Sequence, residues 1–141
     1  MRDSAEHPDS IARLESVSKV YHGGGGRVVA LDRLTLSIPP GLTVLAGPSG
    51  CGKSTLINLL GALDFPTSGT IEVGGIRIDE LDETGLDRFR RRSVGIVFQF
   101  FHLMPNLTVA ENIGLPIAIA GNNPDTESAR ITELAEKLGI A

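Results

Sequence analysis

The sequence predicts an α/β fold with an antiparallel β part, a strand-loop-helix unit and a helical end, and three observations support this prediction. Residues 11–20 and 28–38 each alternate apolar and polar side chains, as half-buried strands do. An apolar run at 42–46 leads into the glycine-rich loop 47–55, and a helical apolar pattern follows the loop. Two further helical patterns occupy the end of the chain, after residue 107.

The first two elements are predicted to form a hairpin. The two alternating segments are separated by the glycine run 23–26, which suits a turn between antiparallel strands. The preceding residues, 1–10, contain no apolar run and are expected to form a disordered tail.

The loop at 47–55 reads Gly-Pro-Ser-Gly-Cys-Gly-Lys-Ser-Thr, which matches the pattern G-x-x-x-x-G-K-[ST] without a departure. A polyphosphate needs many converging N–H donors, and Gly47, Gly50 and Gly52 permit backbone conformations that a Cβ would forbid. The helix that begins near Lys53 would direct its positive dipole end to the anion. The pattern therefore predicts a phosphate-binding loop. The strand before it and the helix after it disfavour a glycine-rich turn that carries a lysine by chance.

Individual loop residues receive separate roles. Lys53 is expected to neutralise the terminal phosphates, Ser54 to place its hydroxyl on Mg²⁺, and Thr55 to add a phosphate contact. Cys51, the sole cysteine, is expected to be a small spacer, with a reactive thiol beside the phosphate as the alternative. The predicted ligand is a magnesium nucleotide. The expected contacts are Gly47, Pro48, Ser49, Gly50, Cys51, Gly52, Lys53, Ser54 and Thr55.

A helix is predicted after the loop, over residues 54–63. Its apolar residues recur at helical spacing and would share one buried face. The Pro-Thr-Ser-Gly segment at 66–69 ends this element. The residues of the predicted face are Leu56, Leu59, Leu60 and Leu63.

A second hairpin is predicted next. Residues 70–73 and 77–78 flank the glycine pair 74–75, which suits the positive φ values of a tight type I′ or II′ turn. A short helix at 82–92 and a buried strand at 94–98 follow.

The remaining sequence is helical in character. Thr108 and Glu111 form a capping-box pattern that starts a helix running to about residue 119. Another helix is predicted to start near Asp125 and to stop at Gly139. Its apolar face would contain Ile131, Leu134, Ala135 and Leu138.

Composition and charge limit the function classes. A chain of 141 residues with 41% apolar side chains can form one domain with a core. The net charge is −4, and the only basic cluster, 88–92, is expected to be a solvated helix face, so no nucleic acid is predicted as a partner. No stretch approaches the ~20 apolar residues of a membrane-spanning helix, which predicts a cytosolic protein. The histidines His7, His22 and His102 lack the spacing of a metal site.

From about residue 11 to its last residue, the sequence resembles the ATPase subunit of an ATP-binding cassette (ABC) transporter. The resemblance is closest to the subfamily of macrolide-exporter and lipoprotein-releasing ATPases. Beyond the loop, it rests on Gly-Ala-Leu-Asp at 61–64, Pro-Thr-Ser-Gly at 66–69 and Gly-Ile-Val-Phe-Gln-Phe-Phe-His-Leu-Met-Pro-Asn-Leu-Thr-Val-Ala-Glu-Asn at 95–112.

This resemblance implies a P-loop NTPase fold with an antiparallel β subdomain. Residues 11–141 would then form part of a nucleotide-binding domain, with a Walker A loop at 47–55 and the start of the helical subdomain at 100–141. ATP and Mg²⁺ are the implied ligands. The implied partners are a separate transmembrane permease and, for the full-length form, a second copy of the subunit. The implied location is cytoplasmic, peripheral on the inner face of the cell membrane through that permease.

The resemblance also implies roles for Tyr21 and Gln99. Tyr21 would stack on adenine, whereas the alternative is a strand residue that covers the sheet edge. Gln99 would be the Q-loop glutamine that contacts Mg²⁺ and the attacking water, whereas the alternative is an ordinary polar residue at a strand end. The apolar residues around it are expected to be part core and part docking surface for the permease. They are Phe98, Phe100, Phe101, Leu103 and Met104.

Several motifs of that family do not occur in the sequence. An LSGGQ signature, an apolar strand ending in Asp-Glu and a switch histidine are expected after residue 141. Asp79-Glu80 imitates the Asp-Glu strand, but Arg77 interrupts the apolar run that a central strand needs. We therefore expect weak Mg-ATP binding by the 141-residue chain, with little or no hydrolysis unless another polypeptide completes the fold.

Three other functions are weighed against this one. A GTPase would use the D-x-x-G pattern at 82–85 and the N-K-x-D-like segment at 122–125, but Asn123 stands where the lysine should be. A small-molecule kinase would need arginines aimed at the phosphate, for which 88–92 are the candidates. A non-catalytic nucleotide-binding fragment without a working site is the third alternative.

Overall fold

The computed structural model describes residues 10–24 and 26–140, without the side chains of residues 124 and 125. The tail predicted at 1–10 lies outside the described residues, apart from Ser10. The chain divides into two compact units, one ending at Gly95 and the other beginning at Ile96.

The first unit contains a four-stranded antiparallel sheet in the order β2-β1-β3-β4. The strands are Ala12–Gly23 (β1), Gly26–Ile38 (β2), Ser68–Val73 (β3) and Ile76–Arg77 (β4). Strand β1 lies in the middle, with β2 on one side and β3 on the other. Both predicted hairpins, β1 with β2 and β3 with β4, are confirmed.

A bulge interrupts β1 at Ser16, which has a left-handed φ of 50°. The pairing of β1 with both β2 and β3 shifts at this point. Gly69 on β3 faces the bulge with a φ of 90°, and a Cβ there would lie 2.5 Å from the Ser16 carbonyl oxygen. Only glycine therefore allows β3 to approach the bulge so closely.

The core of the first unit combines the sheet with two helices, Lys53–Leu60 (α1) and Glu83–Ser93 (α2). The burial of Leu56 and Leu59 confirms the predicted apolar face of α1. Leu63 lies beyond the end of the helix and is 44% exposed, so its placement on that face is wrong. The helix stops early because the left-handed Ala62, with a φ of 53°, turns the chain away. The buried cluster contains Leu14, Val17, Leu56, Leu59, Ala62, Ile71, Ile78, Leu86 and Phe89.

The second hairpin has the predicted turn, with φ values of 58° at Gly74 and 76° at Gly75. Strand β4 has two residues and passes directly into a 3₁₀ turn, Ile78–Glu80. Asp82 then caps α2 by accepting a hydrogen bond from the Gly85 amide at 2.8 Å.

Two predicted strands are absent from the described residues. Residues 42–46 and 94–98 have irregular backbone, and several of their side chains are open to solvent. Leu42 is 94% exposed and Val97 is 99% exposed. A strand needs a neighbour for its backbone hydrogen bonds, and no strand among the described residues pairs with either segment.

The second unit is helical. It contains Val109–Ile119 (α3), a 3₁₀ turn at Pro124–Glu127 and Ser128–Lys137 (α4). The capping box at the start of α3 is confirmed, since Glu111 accepts from the Thr108 amide at 2.7 Å. Helix α4 ends as predicted at Gly139, whose φ is 69°.

Candidate nucleotide-binding site

The loop 47–55 runs into the amino end of α1. Gly52 occupies the N-cap position of the helix with a φ of 90°, and Gly50 has a φ of 81°. A Cβ on Gly52 would lie 2.6 Å from the carbonyl oxygen of Ala30 on β2. The glycine at this position therefore lets the start of α1 pack directly against the sheet.

A cavity of about 540 Å³ opens between this loop and strand β2. One wall is the loop with the first turn of α1, and the other is the middle of β2. A cavity of this size lies within the usual range for small-molecule sites. Its lining residues are Val28, Val29, Ala30, Ser49, Gly50, Gly52, Lys53, Ser54 and Thr55.

The ammonium group of Lys53 lies within the curve of the loop. Its Nζ donates to the carbonyl oxygens of Gly47 at 2.8 Å and Pro48 at 2.7 Å, and it lies 3.5 Å from Sγ of Cys51. These contacts hold a positive charge over the loop and at the cavity wall. An anion that entered the cavity would meet this charge directly.

The first turn of α1 adds further positive potential. Gly52 provides no side-chain cap, and the first turn has no acidic residue. The first amides of a helix have no intrahelical acceptor, so those of Lys53, Ser54 and Thr55 are available to an anion. Donors, charge and shape at this end of the cavity therefore suit a polyphosphate.

Tyr21 lies at the edge of this region. In the pairing of β1 with β2 it is opposite Val28, which lines the cavity, and paired residues have side chains on the same face. Its hydroxyl donates to Oδ2 of Asp64 at 2.8 Å, and Nζ of Lys19 lies 4.9 Å from the ring centroid. The side chain is 39% exposed.

Asp64 is the acceptor at the centre of this second group of residues. Its Oδ1 accepts from Lys19 at 2.5 Å and from the Phe65 amide at 2.7 Å. Burial alone would raise the pKa of Asp64, but the hydrogen bonds from Lys19 and Tyr21 outweigh it and lower the pKa below its ordinary value. The carboxylate is therefore charged at neutral pH.

Gln99 lies in the second unit, in an exposed irregular segment. The expected strand before it is missing. Phe98 makes an edge contact with His102, their ring centroids 4.6 Å apart. Much of the neighbouring apolar surface is open, with Phe100 74% and Phe101 87% exposed.

Asp79-Glu80 does not lie at the end of a central strand, as expected because Arg77 interrupts the apolar run before it. Asp79 lies in the 3₁₀ turn and accepts from Arg77 Nη2 at 2.6 Å and from the Ile71 amide at 2.8 Å. Both carboxylate oxygens are thus used in holding the hairpin. Among the residues whose side chains the structure describes, no group of three or more His, Cys, Asp or Glu could hold a metal ion.

One residue of each rival pattern has a structural partner. Asp82, the first residue of the D-x-x-G pattern, is the cap of α2. In the basic cluster, Arg90 pairs with Asp87 and donates to the Ala62 carbonyl at 2.9 Å. Asp82 and Arg90 therefore both have structural roles in the first unit.

Sequence reasoning missed the β2 wall of the cavity and the partners of Tyr21. The alternation of β2 predicts a strand, but it does not reveal that α1 packs over Ala30. One signal was present for Lys19: it lies two residues before Tyr21 on a predicted strand, so both side chains share a face. In the part of the chain that the structure describes, no helix is long and apolar enough to cross a membrane.

A glycine-rich loop between the sheet and the amino end of a helix is characteristic of the P-loop NTPases. Comparison with known proteins specifies the family. The profile of the ABC transporter family matches residues 31–141, and the chain belongs to that family.

Curated relatives include the lipoprotein-releasing system ATP-binding proteins LolD of two bacteria. The Xanthomonas oryzae protein is 38% identical over 136 residues, which are 96% of this chain and 56% of the relative. The Geobacter metallireducens protein is 40% identical over 133 residues, which are 94% of this chain and 59% of the relative. The chain thus spans a little over half the length of these relatives.

Two solved structures of the ATP-binding cassette MJ0796 share the fold. A dimeric post-hydrolysis state bound to ADP and Pi has a TM-score of 0.78 at 36% identity, covering 89% of this chain and 56% of that one. Another dimeric structure has a TM-score of 0.70 at 41% identity, covering 77% and 47%. These likenesses agree with the α/β fold and antiparallel β part inferred from sequence.

Proposed function

We propose that this chain is the ATP-binding part of an ABC transporter subunit and holds Mg-ATP at residues 47–55. The observation that carries the proposal is the cavity at the start of α1, where uncapped helix amides and the Lys53 ammonium lie together. The names of the LolD relatives and the ADP in the MJ0796 structure support the same ligand class.

In this proposal each part of the site acts on one part of the nucleotide. The loop amides bind the phosphates, and Lys53 balances the charge of the terminal ones. Tyr21 stacks on the adenine ring, since it lies next to the cavity wall at Val28. Ser54 at the first turn would help to hold Mg²⁺, which neutralises phosphate charge when bound. Contact of Gln99 with Mg²⁺, which the family resemblance implies, stays a prediction.

We also infer weak Mg-ATP binding by the 141-residue chain, with little or no hydrolysis unless another polypeptide completes the fold. Phosphoryl transfer in P-loop enzymes needs a carboxylate for the metal and a group that orients water. Asp79 cannot serve as that carboxylate, because Arg77 and the Ile71 amide occupy its oxygens. We also propose that a membrane permease and a second subunit complete the working transporter at the inner face of the membrane, and that the permease selects the cargo.

Calorimetric titration with Mg-ATP, with phosphate release followed in the same sample, tests the proposal. The wild type is expected to bind with little release, and Lys53→Ala to abolish binding. Lys137→Ala, which removes an exposed lysine of α4, is the matched control and should bind normally. The proposal would be contradicted if Lys53→Ala bound Mg-ATP as well as Lys137→Ala does. Rapid ATP turnover that depends on Lys53 would also contradict it.

The adenine contact has a separate test. Tyr21→Ala should weaken Mg-ATP binding by about 1–2 kcal/mol, because a stacked base loses its aromatic platform. Affinity for inorganic tripolyphosphate should not change. Equal affinity of the wild type for ATP and tripolyphosphate would remove the stacking role.

A non-catalytic nucleotide-binding fragment is the alternative, which the family match and the curated relatives do not favour. A measurement of ATP turnover distinguishes the transporter subunit from the non-catalytic fragment. Addition of a polypeptide that carries the missing cassette motifs should restore ATP turnover for a transporter subunit, and should have no effect for an independent binding module.

A further inference from the structure

We propose that Asp64 and Lys19 are positioning residues that hold the Tyr21 ring in place for the nucleotide base. This inference rests on the proposed function, because it assigns partners to the residue that would stack on adenine. The three residues are separated along the chain, with Asp64 43 positions after Tyr21.

Hydrogen bonds connect Asp64 to both Lys19 and Tyr21. Both carboxylate oxygens of Asp64 are in use. One accepts from Lys19 and the Phe65 amide, and the other accepts from the Tyr21 hydroxyl. Lys19 also donates to the Phe65 carbonyl at 2.7 Å, so Lys19 contacts both the carboxylate and the backbone of the next residue. Asp64 is therefore a fixed point to which the Tyr21 ring is attached.

Lys19 and Asp64 are also largely shielded from solvent. The side chains of Lys19 and Asp64 are 12% and 26% exposed, which makes this ion pair the least exposed of those described. Hydrogen bonds between charged partners gain strength as water is excluded. The Tyr21 side chain keeps more exposure, 39%, which leaves ring surface for a planar base.

Lys19 also contacts the Tyr21 ring directly. Its ammonium lies 4.9 Å from the ring centroid, within the range of a cation–π contact. Lys19 therefore occupies one side of the ring, while Asp64 fixes the hydroxyl. A ring that is already oriented loses less conformational entropy when a base stacks on it.

Helix α1 connects Asp64 to the loop 47–55. Helix α1 begins at the loop and ends at Leu60, four residues before Asp64. The helix is anchored in the core through Leu56 and Leu59. A rigid element thus joins the group that would bind phosphate to the group that orients the ring.

A purely structural role is the alternative, since the same region ties residues 64–67 to β1. Val20 donates to Thr67 Oγ1 at 2.9 Å, and the Thr67 amide donates to the Ser18 carbonyl at 2.8 Å. Loss of this anchorage would disturb the whole site. The experiment must therefore separate binding of the base from binding of the phosphates.

The test compares the affinities of Mg-ATP and inorganic tripolyphosphate in four chains: wild type, Asp64→Ala, Tyr21→Phe and the double variant. Asp64→Ala is expected to weaken Mg-ATP about threefold to tenfold and to leave tripolyphosphate unchanged. Tyr21→Phe keeps the ring but loses the hydroxyl, so it should weaken Mg-ATP binding to the same extent as Asp64→Ala and leave tripolyphosphate binding unchanged. The double variant should bind Mg-ATP as well as Tyr21→Phe does, because the Asp64 substitution has no hydroxyl left to release.

Asp32→Ala is the matched control, because Asp32 is an exposed carboxylate on β2 that pairs with its neighbour Arg33. It should leave both affinities unchanged. Equal weakening of ATP and tripolyphosphate by Asp64→Ala would assign Asp64 a structural role and overturn the inference. An effect that persists in full in the Tyr21→Phe background would also overturn it.

A second readout needs no nucleotide. Tyr21 is the only tyrosine, and the chain has no tryptophan, so the emission of the protein reports on this ring alone. Asp64→Ala should speed the nanosecond decay of its anisotropy, whereas Asp32→Ala should not. An unchanged decay would contradict the inference. Failure of the wild type to bind Mg-ATP would overturn the proposed function and this inference together. If the wild type binds Mg-ATP and Asp64→Ala leaves the ratio of the ATP affinity to the tripolyphosphate affinity unchanged, only this inference is overturned.

Discussion

The antiparallel sheet and the segments at 42–46 and 94–98 are both rich in apolar residues, yet they differ in burial. Leu14 and Val17 of β1 are fully buried, while Leu42 and Val97 are almost fully exposed. In the sheet, β1 pairs with β2 and β3 pairs with β4, and the members of each pair are consecutive in sequence. Strand β3, which follows helix α1, also pairs with β1. The two segments have no paired strand within the described residues.

This difference teaches what an apolar pattern can predict. Burial of a strand on both faces needs layers above and below it and a neighbouring backbone on each side. The pattern at 42–46 reports the environment that these side chains require. It does not report whether the described part of the chain supplies that environment.

The largest expected effect is the loss of core packing in the sheet. Leu14→Ala should lower the free energy of unfolding by about 2–5 kcal/mol, because the side chain is fully buried in the main cluster. Leu42→Ala is the matched control and should change it by less than about 0.5 kcal/mol. Urea unfolding followed by circular dichroism measures both, and similar losses in the two variants would break the comparison.

A smaller loss is expected at the bulge in β1. Gly69→Ala should cost roughly 2–3 kcal/mol, because its φ is unfavourable for alanine and its Cβ would meet the Ser16 carbonyl. Gly75→Ala has a positive φ too, but no atom lies near its Cβ, so it should cost about 1 kcal/mol. Denaturation of the two variants separates the steric effect from the backbone effect. Equal costs would show that β3 does not need to approach Ser16.

Asp79→Asn should lower the free energy of unfolding by about 1–2 kcal/mol, since it disturbs the bonds to Arg77 and the Ile71 amide. Hydrogen bonding from Arg77 lowers the pKa of Asp79, although burial raises it in part. A lowered pKa in the folded state means that this stability is complete above the unfolded pKa of about 3.9 and is lost as the pH falls through the folded value.

The melting temperature of wild type and Asp79→Asn between pH 2 and pH 7 checks this prediction. The difference should be largest at neutral pH and should shrink below about pH 4. Asp87→Asn, which affects an exposed pair on α2, is the control and should have little effect at any pH. A constant difference across the range would argue against the ion pair as the source.

The smallest thermodynamic effect is expected from lysine at the two exposed positions. Leu42→Lys and Val97→Lys should each change the free energy of unfolding by less than about 0.5 kcal/mol, because neither side chain is buried. Binding of a hydrophobic dye should fall, since exposed apolar surface is removed. A strong loss of stability would mean that these residues are buried in solution.

Local signals predicted a large part of the fold. The two hairpins follow from alternation and glycine turns, and the α3 start follows from the Thr108 capping box. The glycine-rich loop at 47–55 could be identified because its pattern lies in consecutive residues. Each of these features depends on neighbours within a few positions.

The features that were missed depend on contacts distant in sequence. Gly69 reads as the end of a turn, and only the structure shows that it faces Ser16. The bond from Tyr21 to Asp64 joins residues 43 positions apart, and no periodicity encodes it. The strand predicted at 42–46 was wrong because its pattern implies neighbours without identifying them.

Amide hydrogen exchange with and without Mg-ATP tests the central claim most directly, that a stable antiparallel sheet carries a nucleotide-binding loop at 47–55. In the free chain we predict protection of β1 and β3 and rapid exchange at 42–46. When Mg-ATP is added, residues 47–55 should become protected in the wild type but not in Lys53→Ala. Protection at 42–46 in the free chain, or an unchanged loop in the presence of Mg-ATP, would contradict the account.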